Sequence, residues 1–162
     1  LWKIGETAPK PESTGEAYHF IFRELLLHAG ARYNLWCPAY CLMPDHLHLI
    51  WMGLRRECDQ LNAMKFLRSE LKSHLNNGRD WQHQAHDHVL REEDRRCNAF
   101  AAFCFYTLAN PVREKLVESE SQWPFSGCVI PGYPRMNPFQ DDYWELFWKL
   151  YQQTREAEPP QV

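Results

Sequence analysis

Histidines alternate with apolar residues in the stretch 41–51, and this alternation predicts a β-strand. Successive side chains of a strand point to opposite faces, so His46 and His48 share one face while Leu47 and Leu49 share the other. A rigid strand can hold two neighbouring imidazoles accurately enough to bind one divalent metal ion. The same pattern also fits a half-buried strand that merely carries two histidines, and a third ligand or a nucleophile has to come from elsewhere in the chain.

Apolar residues recur at helical spacing in other parts of the chain. Glycine, proline and capping residues mark where these helices begin and end. The predicted helices are 16–29, ended by Gly30; 59–75, capped by Asp59; about 92–110, limited by Pro111, with a further turn at 112–117; and the aromatic stretch 143–153.

Two further strands are predicted, at 33–43 and at 81–90. Pro38 lies inside the first, and proline cannot donate to a sheet ladder, so this strand is expected to be an edge or to carry a bulge. The stretch 122–138 is rich in Pro and Gly and is predicted to be a loop.

With 162 residues, 44% of them hydrophobic, the chain can bury one core and is too short for two independent domains. We expect a single domain over residues 16–153. Residues 1–15 are polar, rich in Pro and Gly and do not begin with Met, which indicates a flexible arm or a truncated start. Residues 154–162 are expected to form a disordered acidic tail.

Charge and cysteine content limit the class of protein. The formal net charge of −3 gives no global electrostatic support for nucleic-acid binding. Six cysteines without a Cys-x-x-Cys pair indicate reduced intracellular thiols. Because no apolar run reaches membrane length and no signal peptide is recognisable, we expect a cytoplasmic protein without membrane contact.

A second candidate constellation lies on the helix before Pro111. Tyr106 and Asn110 are four residues apart, so a phenol and a carboxamide share one helix face. Each also has a purely structural interpretation, because a tyrosine in an apolar helix usually belongs to the core and an asparagine before proline usually caps the helix.

Three histidines near residue 85 form another cluster. A zinc site there is disfavoured because no cysteine or carboxylate lies at a recognised zinc spacing. The three are His83, His86 and His88.

Four short motifs follow one another along the chain, with a predicted helix between the first and the second. They are Met43-Pro44-Asp45-His46-Leu47-His48-Leu49, Asp87-His88-Val89-Leu90-Arg91, Tyr106-Thr107-Leu108-Ala109-Asn110-Pro111-Val112-Arg113 and Trp123-Pro124-Phe125-Ser126. Their order resembles the REP-associated tyrosine transposases, a branch of the single-tyrosine transposases with a His-hydrophobic-His motif. The resemblance covers about residues 16–150 and rests on the ordered set, since each motif alone is nonspecific.

The resemblance implies a ferredoxin-like α+β domain. The His46 strand would lie inside an antiparallel sheet, with helices packed on one side. The first strand of that fold normally precedes helix one, and residues 1–15 show no pattern of a strand, which raises the alternative that this chain lacks it.

Position by position, the resemblance also implies a site. His46 and His48 would bind Mg²⁺ or Mn²⁺, and the amide of Asn110 would complete the metal site. Tyr106 would attack a phosphate of single-stranded DNA and form a 5′-phosphotyrosine, at hairpin or palindromic repeat DNA of a prokaryotic nucleoid. The enzyme is expected to act as a monomer rather than a homodimer. The expected DNA contacts are His88, Arg91 and Arg113.

Two alternatives remain open. A domesticated or truncated relative could bind structured single-stranded DNA without cutting it. A metal-dependent hydrolase unrelated to DNA could use the same histidines with water as the nucleophile.

Overall fold

The computed structural model describes residues 2–3, 14–74 and 99–156. They form an α+β fold whose antiparallel sheet has the strand order β1-β3-β2-β4. The elements are β1 (Trp2–Lys3), α1 (Thr14–Tyr33), β2 (Leu35–Leu42), β3 (His46–Gly53), α2 (Gln60–Lys72), α3 (Ala99–Leu108), α4 (Asn110–Arg113), a 3₁₀ turn (Glu120–Gln122), β4 (Ser126–Val129) and α5 (Tyr143–Glu156).

β3 confirms the strand predicted from the alternation of histidines, and β2 pairs with it along its length. β2 is not an edge strand, because β4 pairs with its other side. The pairing register of β2 shifts on both sides around Pro38, so the bulge interpretation is the correct one. The bulge explains why Trp36 and Ala39 reach the same face although they are three residues apart.

Two strands lie where the sequence indicated none. In β1, Trp2 pairs with Leu47 and Lys3 pairs with His46, so the sheet has the strand before helix one after all. β4 lies inside the stretch predicted to be a loop. Both strands are very short, and their hydrogen-bond partners are distant in sequence, so neither leaves a local periodicity to detect.

Helix α1 is longer than predicted, because Gly30 does not end it. A Cβ at Gly30 would lie 2.7 Å from the carbonyl oxygen of Leu35, so glycine is required here by the close approach of β2. The helix ends at Tyr33, before Asn34 with a φ of 55°. At α2 the predicted cap is confirmed, since the Asp59 side chain accepts a hydrogen bond from the backbone nitrogen of Asn62.

Helices cover both faces of the sheet, which corrects the expected one-sided arrangement. On one face, Leu47 and Leu49 of β3 belong to a core shared with α1 and α2. On the other face, Ile50 and Met52 pack among residues of α3 and α5. β3 therefore has apolar side chains on both faces of the sheet, and each face is covered by its own layer of helices.

The chain bends between α3 and α4. α3 ends at Leu108, two residues earlier than predicted, and α4 replaces the turn expected at 112–117. The strand predicted at 81–90 and the predicted helix start at 92–94 lie outside the described residues. α5 extends to Glu156, beyond the predicted end at 153. No helix in the described ranges is both long and apolar enough to cross a membrane.

Candidate active site

His46 and His48 point from the same face of β3 toward one spot. Their Nε2 atoms lie 2.9 Å apart, and the ring centroids are separated by 4.7 Å at an interplanar angle of 73°. Two ring nitrogens this close must share a proton or a cation, because two lone pairs would repel each other. We call this spot the donor site, because a cation that replaced the shared proton would meet two ring nitrogens.

Asp45 fixes which nitrogen of His46 is free. Its carboxylate lies 2.6 Å from Nδ1 of His46, and an ionised carboxylate can only accept, so Nδ1 carries the proton. In the neutral ring, Nε2 then presents its lone pair toward His48. Metal-binding histidines usually have such a carboxylate on the second ring nitrogen.

His48 is held in its neutral form. Burial is the main reason that its pKa is lowered to about 4, and the neighbouring charges of His46 and Arg113 act in the same direction. At neutral pH the imidazole therefore carries no proton beyond its single N–H. Only the neutral ring can donate an electron pair to a metal ion.

The separation of the two nitrogens, 2.9 Å, is an ordinary N–H···N hydrogen-bond distance. It also brings both nitrogens within reach of one divalent ion that could replace the shared proton. No group of three or more His, Cys, Asp or Glu side chains gathers around a common point in the described part of the chain. The remaining positions of such an ion would be filled by an amide, water or a substrate oxygen, as Mg²⁺ and Mn²⁺ accept.

Helix α3 carries Tyr106 to the histidine face of the sheet. Its buried residues Cys104 and Leu108 pack with Ala39 of β2 and lie against Ile50 of β3. Ile50 is on the same face of β3 as the histidines. Packing on this residue therefore sets the helix beside the donor site.

Among the described residues, Tyr106 has the aromatic ring nearest to the histidine pair. Its centroid lies 6.4 Å from that of His48, at an interplanar angle of 78°. The side chain is 49% exposed, so its hydroxyl is accessible to a large substrate. The structure thus brings together two residues that the sequence placed on a strand and on a distant helix.

Asn110, the first residue of α4, is buried two residues beyond the end of α3, and it caps that helix end. Its amide nitrogen donates hydrogen bonds to the carbonyl oxygens of Tyr106 (2.8 Å) and Thr107 (3.2 Å). These bonds satisfy carbonyls that the helix end leaves free. Because the nitrogen is committed to the backbone, the amide oxygen is the atom that a cation could use.

Arg113 stacks on the candidate nucleophile. Its Cζ atom lies 4.1 Å from the ring centroid of Tyr106, well within the range of cation–π contacts. The other two predicted DNA contacts, His88 and Arg91, lie outside the described residues. So do the other two histidines of the disfavoured zinc cluster, His83 and His86.

Sequence reasoning missed two features of this site. Asp45 enters the sequence analysis only as a member of the first motif, although a carboxylate directly beside a His-x-His pair is a recognisable signal for a histidine-orienting group. The contact between Arg113 and Tyr106 crosses the bend between α3 and α4, and no regular helical spacing predicts it.

No family model matches this sequence, and a search of curated proteins found no match either. A solved structure of a REP-associated tyrosine transposase bound to a REP hairpin matches the fold, with a TM-score of 0.56 and 19% sequence identity. The match covers 77% of this chain and 73% of that protein. At this identity the likeness establishes that the two chains share a fold, in agreement with the α+β class predicted from the motifs.

Proposed function

We propose that this protein nicks and joins single-stranded DNA in a metal-dependent reaction, through a 5′-phosphotyrosine on Tyr106. The observation that carries the proposal is the approach of the Tyr106 ring to His48, whose Nε2 faces that of His46. A phenol and a pair of imidazoles at one open surface suit an attack on a phosphodiester.

In this proposal His46 and His48 hold Mg²⁺ or Mn²⁺, and the amide oxygen of Asn110 is the third protein ligand. Bound there, the ion would supply positive charge to the nonbridging oxygens of the phosphate and to the leaving oxygen. An imidazole that binds a metal ion adds no charge of its own, so two such ligands would leave the charge of the ion available for an anionic backbone.

Tyr106 supplies the nucleophile. Its phenol oxygen forms a bond to phosphorus as the bond from phosphorus to the 3′ oxygen breaks. The phenol loses its proton, and the departing 3′ oxygen takes one up. One phosphoester replaces another, so the free 3′-OH of a second DNA end can reverse the step and join strands without an external energy source.

The proposed substrate is hairpin or palindromic repeat DNA with single-stranded flanks. Support comes from the shared fold, since the matching structure holds a REP hairpin. Arg113, exposed beside the nucleophile, would approach a phosphate of the bound strand, and His88 and Arg91 are proposed as further contacts. We propose that the protein acts as a monomer in the prokaryotic cytoplasm, associated with the nucleoid.

A binding protein that does not cleave DNA is the principal rival. It would use the same exposed surface and would leave Tyr106 unmodified. A hydrolase that activates water at the histidine pair is the second rival, and it would not need the phenol.

An assay for a covalent protein–DNA adduct distinguishes the proposed transposase-type reaction from the binding protein and from the hydrolase. Purified full-length protein is incubated with Mn²⁺ and end-labelled hairpins whose single-stranded flanks are randomised in sequence. The proposal expects a denaturation-resistant protein–DNA adduct that is lost in Tyr106→Phe and in His46→Ala and is kept in Tyr133→Phe, a matched change at another exposed tyrosine.

Each rival has its own signature in this assay. Hairpin binding without an adduct in the wild-type protein would support the binding protein. Cleavage that persists in Tyr106→Phe would assign the nucleophile to water and would overturn the mechanism proposed here.

A further inference from the structure

We propose that Arg113 is a positioning residue for the nucleophile, because its guanidinium holds the phenol ring of Tyr106 beside the histidine pair before DNA arrives. This inference rests on the proposed function. It gives Arg113 a task in the chemical step, distinct from the phosphate contact proposed above.

The contact is the tightest of its kind in the described part of the protein. The Cζ atom of Arg113 lies 4.1 Å from the Tyr106 centroid. Other arginine–tyrosine pairs, such as Arg32 with Tyr33, are separated by 5.5 to 5.9 Å. At 4.1 Å a planar guanidinium lies in van der Waals contact with the ring, where both dispersion and the ring quadrupole attract it.

Arg113 is available for this contact because nothing else in the described structure holds its charge. Among residues 14–74 and 99–155, no carboxylate forms an ion pair with its guanidinium. An exposed arginine with a carboxylate partner would be drawn away from the ring. In the described part of the chain no such carboxylate is present, and the guanidinium of Arg113 lies against the ring face of Tyr106 instead.

Tyr106 in turn needs a group to hold it. Its side chain is half exposed, and no hydrogen bond to its hydroxyl is present within the described ranges. A phenol that is free to change rotamer would spend part of its time away from the phosphorus. Restricting it to one orientation lowers the entropic part of the barrier to attack.

The backbone around Arg113 is rigid enough to serve as the support. Its amide nitrogen donates to the carbonyl of Ala109 at 3.0 Å, and Pro111 in the first turn of α4 is buried. Asn110 ties the same turn to the carbonyl of Tyr106. The arginine is therefore fixed to the helix end that also carries the nucleophile.

The first test separates the chemical step from DNA binding. Single-turnover adduct formation is measured with Mn²⁺ at saturating hairpin, and the Kd for the hairpin is measured separately. In Arg113→Met we expect the saturated rate to fall about tenfold, the loss that corresponds to one partly desolvated cation–π contact. The Kd should rise as well, by about two- to fivefold, because the proposed phosphate contact is also lost; the saturated rate excludes that effect, and Arg113→Lys should recover part of the rate.

Arg32→Met is the matched control, because it removes the same charge and an arginine–tyrosine contact from an exposed position on α1. It should leave the saturated rate unchanged. A weaker Kd with an unchanged saturated rate in Arg113→Met would make Arg113 a phosphate contact only and would overturn the inference.

The second test needs neither DNA nor metal. With 3-fluorotyrosine at position 106, the ¹⁹F resonance should shift in Arg113→Met and stay in place in Arg32→Met. An unmoved resonance in Arg113→Met would overturn the inference. If wild-type protein forms no adduct while the resonance still shifts, the proposed function fails and the stacking contact stands.

Discussion

The carboxylate of Asp45 accepts a hydrogen bond of 2.6 Å from Nδ1 of His46. This bond places the lone pair of His46 on Nε2, 2.9 Å from Nε2 of His48. Without the carboxylate the ring could carry its proton on either nitrogen, and the donor site would exist for only part of the time. Asp45 is more than half exposed and contributes through this orientation rather than through burial.

Replacing Asp45 by Asn should weaken the affinity for Mn²⁺ by about 10- to 100-fold, as the loss of histidine-orienting groups does at other metal sites. The amide keeps the size of the side chain and removes the charge that selects the tautomer. Mn²⁺ binding is measured by electron paramagnetic resonance titration without DNA. Asp141→Asn changes an exposed carboxylate elsewhere and serves as the control; equal affinities in both variants would refute the orienting role.

A polar triad lies on the opposite face of the sheet. Arg23 donates a hydrogen bond of 2.7 Å to the hydroxyl of Tyr40. The same hydroxyl forms a hydrogen bond of 2.8 Å with Nε2 of His19. Burial, and then the charge of Arg23, lower the pKa of His19 to about 4.

This pKa predicts that the protein loses stability in mild acid. The unfolded chain binds a proton on His19 below about pH 6.5, and the folded protein does not bind it until about pH 4. The free energy of unfolding therefore falls as the pH is lowered through that window, and His48 contributes with the same sign. The imidazole keeps some solvent contact, which weakens the effect. We therefore expect His19 to account for about 1–2 kcal/mol of the free energy of unfolding that is lost in this pH window.

Urea unfolding of His19→Gln at pH 7.5 and pH 4.5 measures this contribution. The variant should lose less stability between the two pH values than the wild-type protein. His28→Gln removes an exposed histidine of the same helix and should behave like wild type. If His19→Gln lost as much free energy of unfolding between pH 7.5 and pH 4.5 as the wild-type protein, the triad would not be the source of the pH dependence.

The histidine strand could be predicted because its information is local. A period of two fixes which face His46 and His48 share, whatever the rest of the chain does. The cap at Asp59 was equally readable, since its partner Asn62 is three residues away. The pairing with Tyr106, by contrast, depends on how α3 packs against Ile50, and only the order of the motifs suggested it.

What escaped prediction depends on contacts between distant residues. β1 consists of two residues whose partners lie in β3, and the four residues of β4 stand among prolines and glycines. Helix α3 is apolar on all sides, so its sequence does not indicate which face is buried. One signal for the second helical layer was present, because Ile50 and Met52 are apolar on the histidine side of β3.

Asn110 has two possible tasks, and two substitutions separate them. Asn110→Ala removes both the donor to the α3 carbonyls and the amide oxygen, whereas Asn110→Asp keeps an oxygen ligand and loses the donor. Both should lower the free energy of unfolding by about 1–3 kcal/mol without metal, because the carbonyls of Tyr106 and Thr107 lose a buried partner. Mn²⁺ affinity should fall in the alanine variant and be kept in the aspartate variant. Equal affinities in both variants would leave Asn110 as a helix cap alone.

Tyr143 joins α5 to the bulge of β2. Its buried hydroxyl donates a hydrogen bond of 2.7 Å to the carbonyl of Pro38. In Tyr143→Phe that carbonyl loses its donor inside the core, which should lower the free energy of unfolding by about 1–3 kcal/mol in urea. Tyr133→Phe removes a hydroxyl from an exposed tyrosine and should stay within about 0.5 kcal/mol of wild type. If the two variants were equally stable, the bulge would be held by the shape of the chain around Pro38 and not by this bond.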